Sequence, residues 1–503
     1  MNPSPITGFH DPVLLAIVQK QLDFVTHQMG FSMIRSARSP VFSESHDFSC
    51  FLATADGNVV AQADGLPIHS GSGGFAVRGI IDAFRGRIAP GDVFLSSDPY
   101  VAGGNHLPDW TVVRPVFLED ELIAFACNRA HQSDIGGGAA GTYNPAATEI
   151  FHEGIRLPAL KLVDRDVLRD DLFQLLLVNC RTPELLEGDL GAMLGSVRIG
   201  AERLSAILSD LGRERAAALL EAVLDHGERL LRHEIAKLPD GSWYGEDSSD
   251  TDCFETVEVP IRVKLTIEGD GVTFDFTGTS PQIRGFKNSS LANTCSCVYI
   301  AVATFFDTGI PRNNGTFRAV RVVAPAGTVV NALPPAPMTM NTVFPAIDIV
   351  HACWKALAQV DPDRACAGAG KSVFGVSSGA APDGRPFVMY HWHALAGGGA
   401  LKGRDGFPQS GHLPTLGGLT LPNVEAYERL YPCRIYRQEL RRDSAGAGEY
   451  RGGASVEYEA ELFVPSQHAV RNEGLNRPTG YGINGGQAGA QGSMIIEEQG
   501  RPP

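Results

Sequence analysis

Apolar side chains near the start of the chain recur at helical spacing. Leu14, Leu15, Val18, Leu22, Val25 and Met29 share one face, which predicts an amphipathic helix to about Gly30. Asp11 is placed to cap it, and Pro12 suits its first turn. The period then shortens to strands at Phe48–Thr54 and Asn58–Gln62, joined by the hairpin dipeptide Asp56-Gly57. After GLPIHSGSGGFAVRG, a helix carrying Ile80, Ile81 and Phe84 ends near Arg85-Gly86, and Val93–Ser96 reads as a strand. The apolar runs Trp110–Leu118 and Leu122–Cys127 flank the polar residues Glu119, Asp120 and Glu121, which predicts a β-hairpin. Asp171–Val178 and Asp189–Leu238 are mainly helical. Leu204, Ile207, Leu208, Leu211, Leu219, Leu220, Val223, Leu224, Leu230, Leu231 and Ile235 form a core-type stripe there, with breaks expected at Gly212 and Gly227.

At Pro239-Asp240-Gly241-Ser242 the pattern turns β-rich. Strands are expected at Val257–Ile267, Gly271–Gly278, Val320–Ala324, Phe387–His391 and Ile435–Leu440, with helices at Cys297–Asp307 and Ile347–Gln359. Pro334–Pro345 (PPAPMTMNTVFP) reads as a constrained loop, and the glycine-rich last stretch as ordered turns and short strands. The expected fold class is α+β: a mixed, β-rich, multi-subdomain architecture. Its N-terminal region is residues 1–240 and its β-rich C-terminal region is 241–503.

Bulk properties narrow the function classes. At 503 residues the chain exceeds what one growing core sustains, so subdomains are expected. A net charge of −15 without a basic cluster argues against a nucleic-acid or anionic-membrane surface. Nine irregularly spaced cysteines make no disulfide scaffold, and Cys295 and Cys297 have the wrong spacing for a zinc knuckle. The N-terminus has neither a basic n-region nor an apolar h-region, and no 18-residue apolar run follows, so a soluble cytoplasmic protein is expected.

Candidate chemistry gathers at the hairpin. With its loop centred on Asp120, residues whose numbers sum to 240 face each other. Asp109 then opposes His131 and His106 opposes Asp134, with cross-strand Cβ atoms about 5 Å apart. Glycines flank both sides (Gly103, Gly104; Gly136, Gly137, Gly138) and permit close backbone approach. Two HxxD units at one hairpin end suit a first-row divalent ion such as Zn, Mn or Fe(II), rather than a hydrogen-bonded His/Asp pair alone. Asp47, beside His46, could add a carboxylate, although a solvated strand end is the plainer local reading. His152 and Glu153 could orient ligands or belong to a surface loop. No GxxxxGK[ST] phosphate loop and no GxSxG elbow is present. In YHWH, His391 and His393 share a strand face and read as a packed or exposed strand end.

SDPYVAGGNHLPDW, NRAHQSDIGGG, EIFHEGIRLPALKL, EGDLGAMLGSVRIG, TFDFTGTSPQIRG, DSAGAGEYRGG and RPTGYGINGGQAG occur in that order. Together they resemble the hydantoinase B/oxoprolinase family from about residue 9 onward. The resemblance implies the B-type, metal-bearing subunit of an ATP-dependent hydantoinase, oxoprolinase or lactamase acting on a cyclic amide. It implies a hydantoinase A-type partner that holds ATP and Mg, in a hetero-oligomer such as (AB)2. It implies metal ligands at Asp47, His106, Asp109 and His131, with Asp134 a supporting or alternative residue and the catalytic group drawn from His106, Asp109, His131 and Asp134. A ketone carboxylase subunit and a non-catalytic scaffold for the A-type partner are the alternatives. YHWHALAGGGA and GHLPTLGGLTLPNVE depart from the family pattern, which leaves the substrate open.

Overall fold

The computed structural model describes residues 12–63, 65–209, 211–306, 308–371 and 374–498. The expected cap at Asp11 lies outside the described residues. The first helix spans Pro12–Ser36 and buries Leu15, Val18, Leu22, Val25, Met29 and Met33. It runs past Gly30 because Met33 continues the buried stripe, which outweighs the ~1 kcal/mol cost of a mid-helix glycine.

Strands β1 (Phe48–Thr54), β2 (Val59–Gln62), β3 (Val93–Ser96), β4 (Asp109–Leu118), β5 (Glu121–His131), β6 (Leu160–Asp164) and β7 (Val167–Leu168) make one antiparallel sheet. Its order is β2-β1-β5-β4-β3-β6-β7, so β5 sits between β1 and β4. The helices Pro12–Ser36 and Pro183–Ser209 lie on one face. On the other, Val77 and Ile80 of the helix Gly73–Ala83 pack on Phe51, Phe94, Val113, Phe125 and Cys127. Cover on both faces explains why these strands read as continuous apolar runs rather than alternating ones.

The β4–β5 register pairs Asp109 with His131, Trp110 with Ala130 and Val116 with Ala124. The expected sum of 240 therefore holds along most of the hairpin, although the turn is tighter than expected. Leu118 pairs with Glu121 across a two-residue loop in which Glu119 has φ +55°, and a register shift between Val116 and Phe117 restores the pairing. The expected His106–Asp134 pair does not form, because the ladder ends at Asp109 and His131.

Other expectations are corrected. The stretch before Ile80 is helical, with short helices starting at Pro67 and Gly73 inside the glycine-rich run. Gly212 (φ +70°) does separate two helices, Pro183–Ser209 and Arg213–Ile235. Gly227 breaks nothing: it lies inside the second helix, where a Cβ would come within 2.4 Å of Thr316 Oγ1. Its lack of a side chain serves close packing, not termination.

Beyond residue 240, β8 (Gly241–Ser249), β9 (Val259–Glu268), β10 (Gly271–Asp275) and β11 (Val320–Val323) form a sheet in the order β11-β10-β9-β8. The helices Leu291–Phe305 and Ala346–Val360 pack together, and the second of them covers β8 and β9. Strands β12 (Phe374–Ala380), β13 (Pro386–Tyr390), β14 (Cys433–Leu440), β15 (Val456–Leu462) and β16 (Ser466–Arg471) complete the set. They form the sheet β13-β12-β16 and the pair β14-β15. β8, β12 and β16 escape sequence reading because they are polar or alternate weakly, whereas β15 alternates apolar and charged residues regularly and is a strand the sequence reading did not place. The glycine-rich C-terminal stretch is turns, with no strand among the described residues after Arg471. The fold is mixed α+β. All nine cysteines are free, and no helix among the described residues is long and apolar enough to cross a membrane.

Candidate metal centre

Side chains alternate between sheet faces with a period of two. On the face covered by the helix Gly73–Ala83, β1, β5 and β4 therefore present Phe51, Cys127 and Val113, all in one apolar cluster. One step toward the strand ends, the same face carries Ser49, Arg129 and Thr111, which are paired in register. One step further lie Asp47, His131 and Asp109. Asp109 pairs with His131, and the His131 N–H donates to the Asp47 carbonyl at 3.1 Å. Three adjacent strands thus turn from apolar to polar to ligand-bearing at the same level. His106 joins from the turn before β4, where the Asp109 N–H donates to its carbonyl. Gly104 makes this turn possible, since a Cβ there would fall 1.9 Å from the Ser97 carbonyl.

The four side chains are buried: Asp47 is 4 %, His106 0 %, Asp109 0 % and His131 3 % exposed. Asp47 is therefore not a solvated strand end. One ligand atom each from His106, Asp109 and His131 lies within 4.8 Å of the others. Asp109 Oδ1 is 2.8 Å from His106 Nε2 and 3.3 Å from His131 Nδ1. The 3.3 Å separation falls within the ~3.0–3.4 Å edges of an octahedron or tetrahedron with bonds of ~2.1 Å, and the 2.8 Å one is slightly shorter.

A third imidazole, not foreseen from the sequence, completes the cluster. His69 sits on the short helix Pro67–Gly71 with Nε2 3.1 Å from Asp109 Oδ2 and 3.8 Å from Asp47 Oδ1. Asp47 thus meets the other ligands through His69. The signal was a histidine in a glycine-rich run, GLPIHSGSGG, of the kind that also surrounds His106 and His131.

The surroundings fix these groups in place. His106 Nδ1 is 2.5 Å from the Thr339 carbonyl. A carbonyl only accepts, so Nδ1 carries a proton, and in the neutral ring Nε2 then turns a lone pair toward Asp109. His106 Nε2 has no hydrogen-bond geometry despite its 2.8 Å approach to Asp109. Glu153 Oε2 and Oε1 accept from the Met338 and Thr339 N–H groups at 3.0 and 2.7 Å and hold the loop that carries this carbonyl. Burial pushes the Glu153 carboxyl up to about 7 against the pull of those N–H groups. Asn105 Nδ2 donates to Asp109 Oδ2 at 3.3 Å. Arg129 donates to Thr111 Oγ1, Ser72 Oγ, Asn105 Oδ1 and the His69 carbonyl, tying together the segments that carry His69 and His106. Burial lowers Arg129 to about 10. Burial would raise the Asp109 carboxyl, but the imidazoles of His106 and His69, when they carry charge, hold it well below the usual range. Burial also lowers His69, against the pull of Asp109.

The remaining expectations separate. Asp134 lies outside the cluster: its carboxylate accepts from Gly136 N, Gly141 N, Arg181 N and Arg181 Nη1, and so shapes the glycine loop after β5. His152 is exposed and accepts from Thr148 N, whereas Glu153 supports His106 as described. His391 and His393 do not enter the cluster; the YHWH residue that does reach it is Tyr390, 3.3 Å from His131 Nε2.

A family profile described as hydantoinase B/oxoprolinase matches residues 11–502. The chain is 33 % identical over 499 residues to the beta chain of the caprolactamase of Pseudomonas jessenii, covering 98 % of this chain and 84 % of that one. It is 31 % identical over 505 residues to the B-type chain of a putative D-/L-hydantoinase from a Pseudomonas species, covering 97 % and 84 %. The crystal structure of the ATP-dependent caprolactamase from Pseudomonas jessenii superposes with a TM-score of 0.89 at 31 % identity, over 97 % of this chain and 88 % of that one.

Proposed function

Because this chain belongs to the hydantoinase B/oxoprolinase family, we propose that it is the metal-bearing subunit of an ATP-dependent hydrolase of cyclic amides. In this reading a separate A-type subunit binds ATP and Mg, and phosphorylates the carbonyl oxygen of a hydantoin, oxoproline or lactam ring. This chain completes the ring opening, and the two assemble as a hetero-oligomer such as (AB)2. An unstrained amide resists attack by water, so activation by phosphoryl transfer accounts for the need for ATP. Both relatives are named as one subunit of a larger enzyme, which supports a partnered chain.

One observation carries the reading. His106 Nε2 turns a lone pair toward an ionised, fully buried carboxylate oxygen 2.8 Å away. Two acceptors at that distance repel unless a cation lies between them. Zn, Mn or Fe(II) fits a mixed nitrogen and oxygen donor set of this kind. His106, Asp109 and His131 would hold the ion, while Asp47, the fourth ligand the family resemblance implies, lies outside that triad beside His69. A divalent ion there supplies Lewis acidity toward a carbonyl or phosphoryl oxygen and lowers the pKa of water. His69 and Asn105 hold Asp109 Oδ2, which leaves Oδ1 for the shared point. Arg129 offsets part of the negative charge of the two aspartates.

The test is metal analysis and turnover of the chain purified with its nucleotide-binding partner. A divalent ion near one per chain is expected, together with ATP-coupled ring opening of a hydantoin, oxoproline or lactam. His106→Ala should lose both the ion and turnover while the complex still assembles. Full ATP-coupled turnover in a metal-free complex would refute the reading.

A further inference from the structure

His106 and His131 approach Asp109 in similar ways, but their outward nitrogens meet different groups. For His106 the partner is the Thr339 carbonyl, which fixes the proton on Nδ1. For His131 the outward Nε2 lies 3.3 Å from the hydroxyl of Tyr390, at the end of β13 in the C-terminal sheet. A phenol can donate or accept, so this contact alone does not fix the tautomer.

The rest of the Tyr390 environment favours one. Its hydroxyl is 3.1 Å from the Gly141 carbonyl and 3.3 Å from the Ser133 carbonyl, and neither can donate. The phenol has one proton, and the shorter contact directs it to Gly141. The oxygen then presents lone pairs to His131 Nε2, in the arrangement where that nitrogen donates. His131 is left with its Nδ1 lone pair aimed at Asp109 Oδ1, 3.3 Å away. The opposite arrangement, with Tyr390 donating to Nε2 and Nδ1–H donating to Asp109, would satisfy the pair by hydrogen bonds and leave no donor nitrogen for an ion. Packing keeps the phenol in place: Tyr390 is 1 % exposed, stacks on Trp392 at 5.4 Å, and meets both His131 and Tyr143 edge-on.

We propose that Tyr390 is a positioning residue for the metal centre, accepting the Nε2–H of His131 so that Nδ1 faces the ion. The proposal rests on the metal reading above. It also assigns a role to the YHWH segment: a residue of the C-terminal sheet sets the protonation of a ligand carried by the N-terminal sheet. Outer partners of ligating histidines typically change metal affinity by about 10–100-fold when removed.

The experiment measures Zn2+ affinity of the 503-residue chain by competition with a chromophoric chelator. Alongside it, 15N spectra of histidine-labelled protein are recorded, with the His131 signals identified by their loss in His131→Gln. In the unsubstituted protein loaded with Zn2+, His131 should show a protonated Nε2 and a metal-bound Nδ1. Tyr390→Phe should weaken Zn2+ binding by about 10-fold or more and remove the single-tautomer signature. Trp392→Phe, which alters the stacking but leaves the hydroxyl, should bind within about twofold of the unsubstituted chain. A protonated Nδ1 on His131, unchanged affinity in Tyr390→Phe, or an equal loss in Trp392→Phe would each overturn the proposal. His106→Ala separates the two levels. If it abolishes binding while Tyr390→Phe does not, only this inference falls; if it leaves binding intact, the metal reading falls and takes the inference with it.

Discussion

Arg129→Met tests whether a buried cation organises the centre. Arg129 is fully buried and donates to four partners, two of which keep other contacts when it is removed. Ser72 Oγ still donates to the Ile68 and His69 carbonyls, and the His69 carbonyl still accepts from Ser72. Thr111 Oγ1 and Asn105 Oδ1 lose the partner that Arg129 supplies. Each buried polar atom left unpaired costs ~1–3 kcal/mol, so the two together cost ~2–6 kcal/mol. Asp109 also loses a favourable charge, while the chain no longer pays to bury a guanidinium. The net sits near the ~3–5 kcal/mol typical of removing one member of a buried charged group. With an unfolding entropy of roughly 2.1 cal/mol/K per residue, a chain of 503 residues loses ~1 °C of Tm per kcal/mol. The metal-free variant should therefore melt ~3–5 °C lower by calorimetry. Saturating Zn2+ should narrow the gap, because the ion replaces the lost positive charge beside Asp109. A shift under ~1 °C, or a gap that widens with Zn2+, would refute the reasoning.

Glu153→Gln leaves one acceptor where Met338 and Thr339 present two N–H groups, so the loop behind His106 should loosen. Zn2+ affinity should fall ~10-fold in a chelator competition with the fold retained; unchanged affinity would show that the Thr339 carbonyl is held by other contacts. Acid stability gives a separate check away from the centre. Burial would raise the Asp247 carboxyl, but Lys371, His351 and Lys355 hold it well below its ordinary value of 3.8, and His351 Nδ1 approaches to 2.8 Å. A depressed native pKa adds stability above the unfolded value that is lost as pH falls below it. Between about pH 4 and pH 3, Tm should therefore fall more steeply in the unsubstituted chain than in Asp247→Asn, and parallel slopes would contradict this.

Sequence by itself determined the local facts. Periodicity placed the first helix, the Asp56-Gly57 hairpin, the strand Val93–Ser96 and the hairpin register that sets Asp109 against His131. These are read from neighbours in the chain, and the error in loop shape cancelled because a bulge compensated for the tighter turn. Motif order carried the family and, through it, the proposed ligand set of Asp47, His106, Asp109 and His131. Only the tertiary structure decided which distant groups converge. His69 enters from a helix inside a glycine-rich run, and Arg129 lies just past the apolar run Leu122–Cys127, beside Asn128, where nothing local marks it as buried. Thr339 and Tyr390 come from more than two hundred residues downstream of the residues they orient. A contact of that kind depends on how sheets and helices stack, and no spacing rule encodes it. The same stacking buried Asp47, because whether a carboxylate at a strand end meets water or another side chain is settled by what the rest of the chain lays over it.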